Sequence, residues 1–506
     1  MKLSKSFINK MIHPASLSRS LQEKIFISSI WMYIFEFFNK GSIIIKTVVL
    51  ARLLAPEHFG IVGIAAIATT ILEVFSNIGY QKALIQKNLI DDNYLNTAWT
   101  VSIIRGLILF LCMFLMSPLI AEFFNTPRAS SVLRIMAISF VINGLNNIGT
   151  IYFSREFKFH KRAFQNSISI FLGLLVTLYL AIKLRNEWAI VFGNLFTNSA
   201  IMILSYILHP YRPRLFFDYK IFKECFTFGK WVLFSAILLY ITSQGDRIVL
   251  TKLLDVKALG FYIIAMRFAS LHKIIIDVVG RVLFAGYSKL QNDILLLKKA
   301  YLRVFNIIVF FCIPICGTSV LLAKPIVFIF LGEKWEEAIL PIQILTFAVL
   351  INVINNSAAA LFYGSGKPKY TFNMLLMRSV VLFLLIYPLT KRMKIDGVSY
   401  SYLIASLSTF PIWFIELKRS INFKFIELSN LFISTTTTIF AVLVSWITIS
   451  GNSLNLLLVF LLRFLLATAV YISINITIHC YTKHKVLENV IFLKNCLRSL
   501  LDIDNL

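Results

Sequence analysis

The chain has 506 residues, of which 58% are hydrophobic and only 15% charged, and 50 Lys and Arg stand against 24 Asp and Glu. The mean hydropathy of +0.79 excludes a soluble globular protein, whose single core has no room for so much apolar surface. The excess of positive charge does not require nucleic acid, because the cytoplasmic loops of membrane proteins are themselves rich in Lys and Arg.

About fourteen runs meet the need for roughly 20 mostly apolar residues per membrane crossing. In chain order they lie near 25–51, 59–80, 95–122, 130–151, 163–182, 188–208, 228–254, 259–283, 301–323, 338–362, 370–390, 397–416, 430–449 and 455–479. The fourth and tenth are the least apolar, each carrying an Asn pair, Asn146-Asn147 and Asn355-Asn356. The first run is too long for the core of a cleaved signal and reads as a retained span. With the N-terminus inside, basic residues favour the inner loops by nearly three to one, which predicts both termini in the cytoplasm. The densest inner clusters are Arg155, Lys158, Lys161 and Arg162, then Arg212, Arg214, Lys220, Lys223 and Lys230, positioned to rest on anionic lipid. Outer loops are short, leaving no external domain for a catalytic site. Tail residues Leu487, Val490, Ile491, Leu497, Leu500 and Leu501 follow helical spacing among basic residues, the pattern of a helix on the inner membrane surface.

The segment Leu50-Ala-Arg-Leu-Leu-Ala-Pro-Glu-His-Phe-Gly60 recurs without gaps as Leu250-Thr-Lys-Leu-Leu-Asp-Val-Lys-Ala-Leu-Gly260. Six spans separate the copies, so both enter the membrane in the same direction and the repeat is parallel. The expected organisation is an inner N-terminal segment (1–24), a six-helix bundle (25–210), an inner linker (211–227), a second six-helix bundle (228–420), two additional helices (430–480) and an amphipathic tail (481–506). Two such bundles frame a cleft suited to alternating access.

The first copy, continued by Gly79-Tyr-Gln-Lys-Ala-Leu-Ile-Gln, resembles the start of the polysaccharide transporter family, the lipid-linked oligosaccharide and O-antigen flippases. Asp246-Arg247-Ile-Val-Leu-Thr-Lys-Leu-Leu followed by Leu259-Gly-Phe-Tyr resembles their second half. The family belongs to the multidrug/oligosaccharidyl-lipid/polysaccharide exporter superfamily, and the resemblance covers most of residues 20–420. It implies an all-α fold and movement of undecaprenyl-diphosphate-linked oligosaccharides from the cytoplasmic to the outer leaflet of the bacterial inner membrane. The implied partners are membrane lipid, the lipid-linked anionic oligosaccharide and, beyond these, the polysaccharide polymerase and chain-length machinery. No nucleic acid, enzyme activity or cofactor is expected. Cys112, Cys225, Cys312, Cys316, Cys480 and Cys496 form no CxxC pair and have no metal-ligand spacing.

Ionisable groups inside spans are costly and face a cavity or a partner. The first span carries Glu36, Lys40 and Lys46, the second Glu73, the seventh Asp246 and Arg247, and the eighth Arg267, Lys273, Asp277 and Arg281; Arg105, Arg134, Arg378 and Arg463 are scattered. The four charges of the eighth span fit within about 120° of one helix face, expected to face the cleft. Lys46, Arg247, Arg267, Lys273 and Arg378 are the candidate ligands for an anionic substrate, Arg by its planar fork and Lys as a point charge. Glu36, Glu73, Asp246 and Asp277 are the candidates for a coupling proton or cation. Internal pairing is the competing role: Glu36 with Lys40, one turn apart, Lys40 with Glu73 and Asp246 with Arg267, at matched depths across hairpins. Three other functions fit the sequence less well. A multidrug exporter of cationic substrates conflicts with the surplus of basic groups, a glycan polymerase or glycosyltransferase with the short outer loops, and a channel with the lack of a filter-like segment.

Overall fold

The computed structural model describes residues 21–76, 91–156, 158–223, 240, 244–271, 287, 293–448 and 456–482. Among these the chain is helical, with no strand. It forms two compact units, Met1–Gly260 and Phe261–Leu506. Nine described helices are long and apolar enough to cross a membrane, or ten if one bent pair is a single span.

The first unit contains α1 (Leu21–Leu53), α2 (Pro56–Ser76), α3 (Asp92–Phe123), α4 (Arg128–Gly144), α5 (Phe159–Leu184) and α6 (Trp188–Leu208). α1 has ample length but is not among the nine, because Glu36, Lys40 and Lys46 interrupt its apolar run. α3 is started by Asp91, whose carboxylate accepts from Tyr94 N at 3.0 Å and satisfies one of the free amides of the first turn. At the fourth span the Asn pair has a direct consequence. α4 stops at Gly144, Asn147 caps a short turn by accepting from Gly149 N at 2.9 Å, and the chain resumes as the helical segment Ile148–Arg155 at 69° to α4. Asn147 Nδ2 also donates to Tyr211 O at 2.8 Å. Residues 209–218 run without helix along the first turns of α3. There Asn96 accepts from both Tyr211 Oη and Arg214 N at 2.8 Å, and Thr100 accepts from Phe216 N at 3.0 Å. The first turn of α2 is tied to the start of α6 by His58 and Glu187, whose Nδ1 and Oε2 lie 2.6 Å apart.

The repeated segments meet inside this unit. Gly60, in α2, lies against the carbonyl of Val256, and Gly260 lies against the carbonyl of Pro56. A side chain at either site would occupy backbone space, which is why both copies of the repeat end in glycine. The helix that begins at Val256, α7 (Val256–Ala269), starts in the first unit and continues into the second.

The second unit continues with α8 (Ile294–Leu321), α9 (Ile339–Gly364), α10 (Pro368–Ile421), α11 (Ser429–Thr448) and α12 (Leu456–Thr482). α10 is two crossings joined at Lys394, whose φ of 52° and ψ of −130° are not helical. The 43 residues between Asn373 and Glu416 would span about 65 Å in a straight helix, yet Asn373 Nδ2 donates to Glu416 Oε1 at 3.2 Å. The chain therefore reverses, in agreement with the eleventh and twelfth spans read from the sequence. Of the Asn pair that weakened the tenth span, Asn356 is exposed and Asn355 donates across the same seam to Thr409 at 2.5 Å, its Oδ1 staying buried without a hydrogen bond among the described residues; Asn352 adds a bond to Ser406 at 3.1 Å. Below them Tyr301, Phe305, Phe362, Trp413 and Phe423 form a fully buried core joining α8, α9 and α10. The expected seventh span lies mostly outside the described residues and the eighth about half outside them, and the amphipathic tail lies almost wholly outside them.

Candidate functional site

Polar and charged side chains inside an apolar helix assembly mark the places where it can handle a hydrophilic group. The best-defined group lies where α2, α3 and α4 converge. Gly106 of α3 lies against Phe140 O, and Gly144 of α4 lies against Ser102 O, so the two helices touch at backbone distance. That contact brings Arg105 and Asn143, the neighbours of these glycines, to the end of α2. Asn143 Nδ2 donates to Glu73 Oε1 at 3.4 Å. Arg105 Nε donates to Ser76 Oγ at 3.1 Å. Ser76 donates its own proton to Leu72 O at 2.7 Å, turning its lone pairs towards Arg105. The guanidinium is thus anchored on the hydroxyl of the last turn of α2 and attracts the Glu73 carboxylate on the same turn through space.

This corrects the pairing expected of Glu73. Its cationic neighbour is Arg105, not Lys40, because α3 rather than α1 approaches the last turn of α2. Glu36 and Lys40, both half-buried on α1, form no ion pair with each other among the described residues.

Lys46 is half-buried on α1 and donates to Asn194 Oδ1 of α6 at 3.2 Å. Asp246 is 2% exposed, and its carboxylate accepts from Arg247 N at 2.9 Å. Arg247 is half-buried, and its Nε is enclosed with no hydrogen bond among the described residues. In the second unit, Arg267 is exposed on α7. Arg378 places its guanidinium 4.7 Å from the ring centre of Tyr402, across the α10 hairpin, and its Nε is likewise enclosed without a hydrogen bond. A ring face is a favourable seat for a cation that leaves the in-plane donors of the guanidinium to other partners. Lys273, Asp277 and Arg281 lie outside the described residues. Among the described residues no cluster of His, Cys, Asp and Glu is placed to hold a metal ion.

Sequence reasoning named Arg105 without a partner and missed Asn143, Ser76 and Tyr402. The signal for Asn143 was present in the polar stretch that made the fourth span weak. Tyr402 carried none, since an aromatic residue in a span is ordinary.

Residues 49–340 match a family described as polysaccharide biosynthesis protein. The chain belongs to that family. Among curated relatives, the lipopolysaccharide biosynthesis protein WzxC of Escherichia coli (strain K12) is 22% identical over 404 residues, covering 79% of this chain and 82% of WzxC. Among solved structures, the lipid II flippase MurJ in an inward closed conformation superposes with a TM-score of 0.74 at 18% identity, covering 89% of this chain and 99% of MurJ. An inward-facing multidrug resistance MATE family transporter of the MOP superfamily superposes with a TM-score of 0.52 at 15% identity, covering 81% and 98%. The family member described here therefore has the fold of these transporters.

Proposed function

We propose that the protein moves undecaprenyl-diphosphate-linked oligosaccharide units from the cytoplasmic to the outer leaflet of a bacterial inner membrane. The reading includes fourteen spans with both termini inside, and alternating access by the two halves of the repeat. It is supported by family membership, by relatives named for lipopolysaccharide biosynthesis and by a fold shared with a lipid II flippase. The observation that carries the choice of an anionic substrate is the state of the intramembrane arginines. Arg247 and Arg378 are half-buried in helices, and each keeps an enclosed Nε with no hydrogen bond among the described residues. A half-buried guanidinium with no carboxylate partner among the described residues favours an anion at its remaining donors, and diphosphate or uronate oxygens are such acceptors. Lys46, Arg267 and Lys273 complete the set of cations assigned to the substrate, with export then continuing to the polymerase and chain-length machinery.

The test is chemical analysis of cells in which the gene is depleted. Lipid-linked repeat units should accumulate on the cytoplasmic leaflet while their synthesis continues. Loss of surface glycan with no accumulated lipid-linked unit would reject the reading.

A further inference from the structure

The end of α2 holds a carboxylate in an unfavourable position. Glu73 is half-buried three residues before Ser76, the last described residue of α2. Asn143 brings the equivalent end of α4 beside it. That helix end, with its free carbonyls, and the partial burial both oppose an ionised Glu73. Among the described residues, Arg105 is the charged group acting on it. Arg105 itself is bound by its Nε to Ser76, and among the described residues its two terminal amino groups donate to nothing. The distribution of basic loop residues places this end of α2 on the cytoplasmic side, where protons are supplied by water at the membrane surface.

We propose that Glu73 is a proton-binding site, and that protonating it frees Arg105 to bind an oxyanion of the substrate. The anion part rests on the proposed function; the proton part does not. In the step, one proton from cytoplasmic water joins a Glu73 carboxylate oxygen, and no covalent bond of the protein changes. Neutral Glu73 keeps its hydrogen bond from Asn143 through its carbonyl oxygen. The Arg105 charge then has no carboxylate to offset it, and its amino groups remain available as donors beyond the Ser76 anchor. Proton and anion therefore bind cooperatively, each raising the affinity for the other by the same factor. Of the three described acids that are candidates for ion coupling, Glu73 is favoured by this geometry; the fourth, Asp277, lies outside the described residues. Asp246 is buried and already bonded to the backbone, and Glu36 has no cation paired with it among the described residues.

Two measurements on the purified full-length protein in lipid nanodiscs test this. The first is the infrared carbonyl band of a protonated carboxyl, followed with pH in the absence of any anion. It should titrate in the wild type and be missing in Glu73→Gln, which keeps the amide-compatible contact with Asn143. A titrating band that persists unchanged in Glu73→Gln, or no such band in the wild type, overturns the proton site. The second is binding of farnesyl diphosphate as a soluble probe. Wild-type affinity should rise by up to about tenfold per unit fall in pH, the limit for one linked proton. Glu73→Gln should bind tightly at all pH values, and Arg105→Ala weakly at all. A pH dependence that survives in Glu73→Gln overturns the link to Arg105. No binding by any form at any pH argues against the anionic-substrate reading, while the infrared result still decides the proton site.

Discussion

Gly60 and Gly260, 200 residues apart, make reciprocal contacts. A β-carbon on Gly60 would lie 1.8 Å from Val256 O, and one on Gly260 would lie 2.0 Å from Pro56 O. Each glycine therefore meets the residue that occupies, in the other copy of the repeat, the position four before it. The match between the two segments reflects a shared packing duty. Gly60→Ala and Gly260→Ala should each destabilise the protein, by about 1–3 kcal/mol for an overpacked site. The two losses should be similar in size, and the double variant should lose less than their sum because one backbone shift relieves both. Thermal unfolding in detergent measures this. A double variant with fully additive losses would mean that the contacts are independent.

The Asn355–Thr409 hydrogen bond joins α9 to the second arm of α10 in an apolar setting. Asn355→Ala should lower stability by about 0.6–2 kcal/mol, the range for interhelical bonds in membrane proteins. Thr409→Val should cost a similar amount alone and add little to Asn355→Ala, which a double-mutant cycle reads directly.

His209 gives a pH dependence outside the membrane-spanning helices. Its ring stacks on Tyr152 at 5.7 Å, and its Nδ1 accepts from Tyr211 N at 3.2 Å, which requires that nitrogen to be unprotonated. Burial, foremost, and then Lys161, Lys158 and Arg212 lower the pKa, against an opposing effect of Glu156. A base with a lowered folded pKa stabilises the fold fully above its unfolded value, about 6.5, and that contribution is lost as pH falls through the folded value. Protection factors at residues 209–218, exchange rates corrected for their intrinsic pH dependence, should fall below about pH 6.5. His209→Gln should flatten that acid response; an unchanged response would place the sensitive group elsewhere.

Much of the architecture was legible because membrane spans obey one strong rule of length and apolarity. The reversal at Lys394 was read correctly from a gap between two apolar runs. The two Asn pairs were visible as polar interruptions, but their opposite outcomes were not. Asn147 ends a helix and caps the next turn, whereas Asn355 stays helical because Thr409 lies opposite. Which one occurs depends on a partner tens of residues away. The same limit applied to charge. Matching depths on adjacent helices suggested Lys40 for Glu73, but contact also depends on which helix comes close, and the Gly106–Gly144 crossing brings Arg105 instead. The repeat was readable because both copies retain the glycine that backbone contact demands.

The arginines should divide by function. Arg247→Ala and Arg378→Ala should insert at normal membrane levels yet reduce glycan export by about ten- to a hundredfold, from the loss of one charge-assisted bond of roughly 1.5–3 kcal/mol. Lysine at either site should restore part of the activity, since charge survives while the fork is lost. Immunoblots of membranes alongside surface-glycan assays separate the outcomes. Full export by both alanine variants would mean that these arginines only join helices.

The most direct test of the central claim is the leaflet distribution of the lipid-linked glycan in vesicles containing only the purified protein. A fluorescent diphosphate-linked oligosaccharide is loaded on the face equivalent to the cytoplasm and probed from the other side with a lectin that cannot cross the bilayer. The account predicts that lectin-accessible glycan appears with the wild-type protein and appears far more slowly with Arg247→Ala. Glycan that stays inaccessible with wild-type protein, while a small cationic dye is transported by the same vesicles, would contradict it.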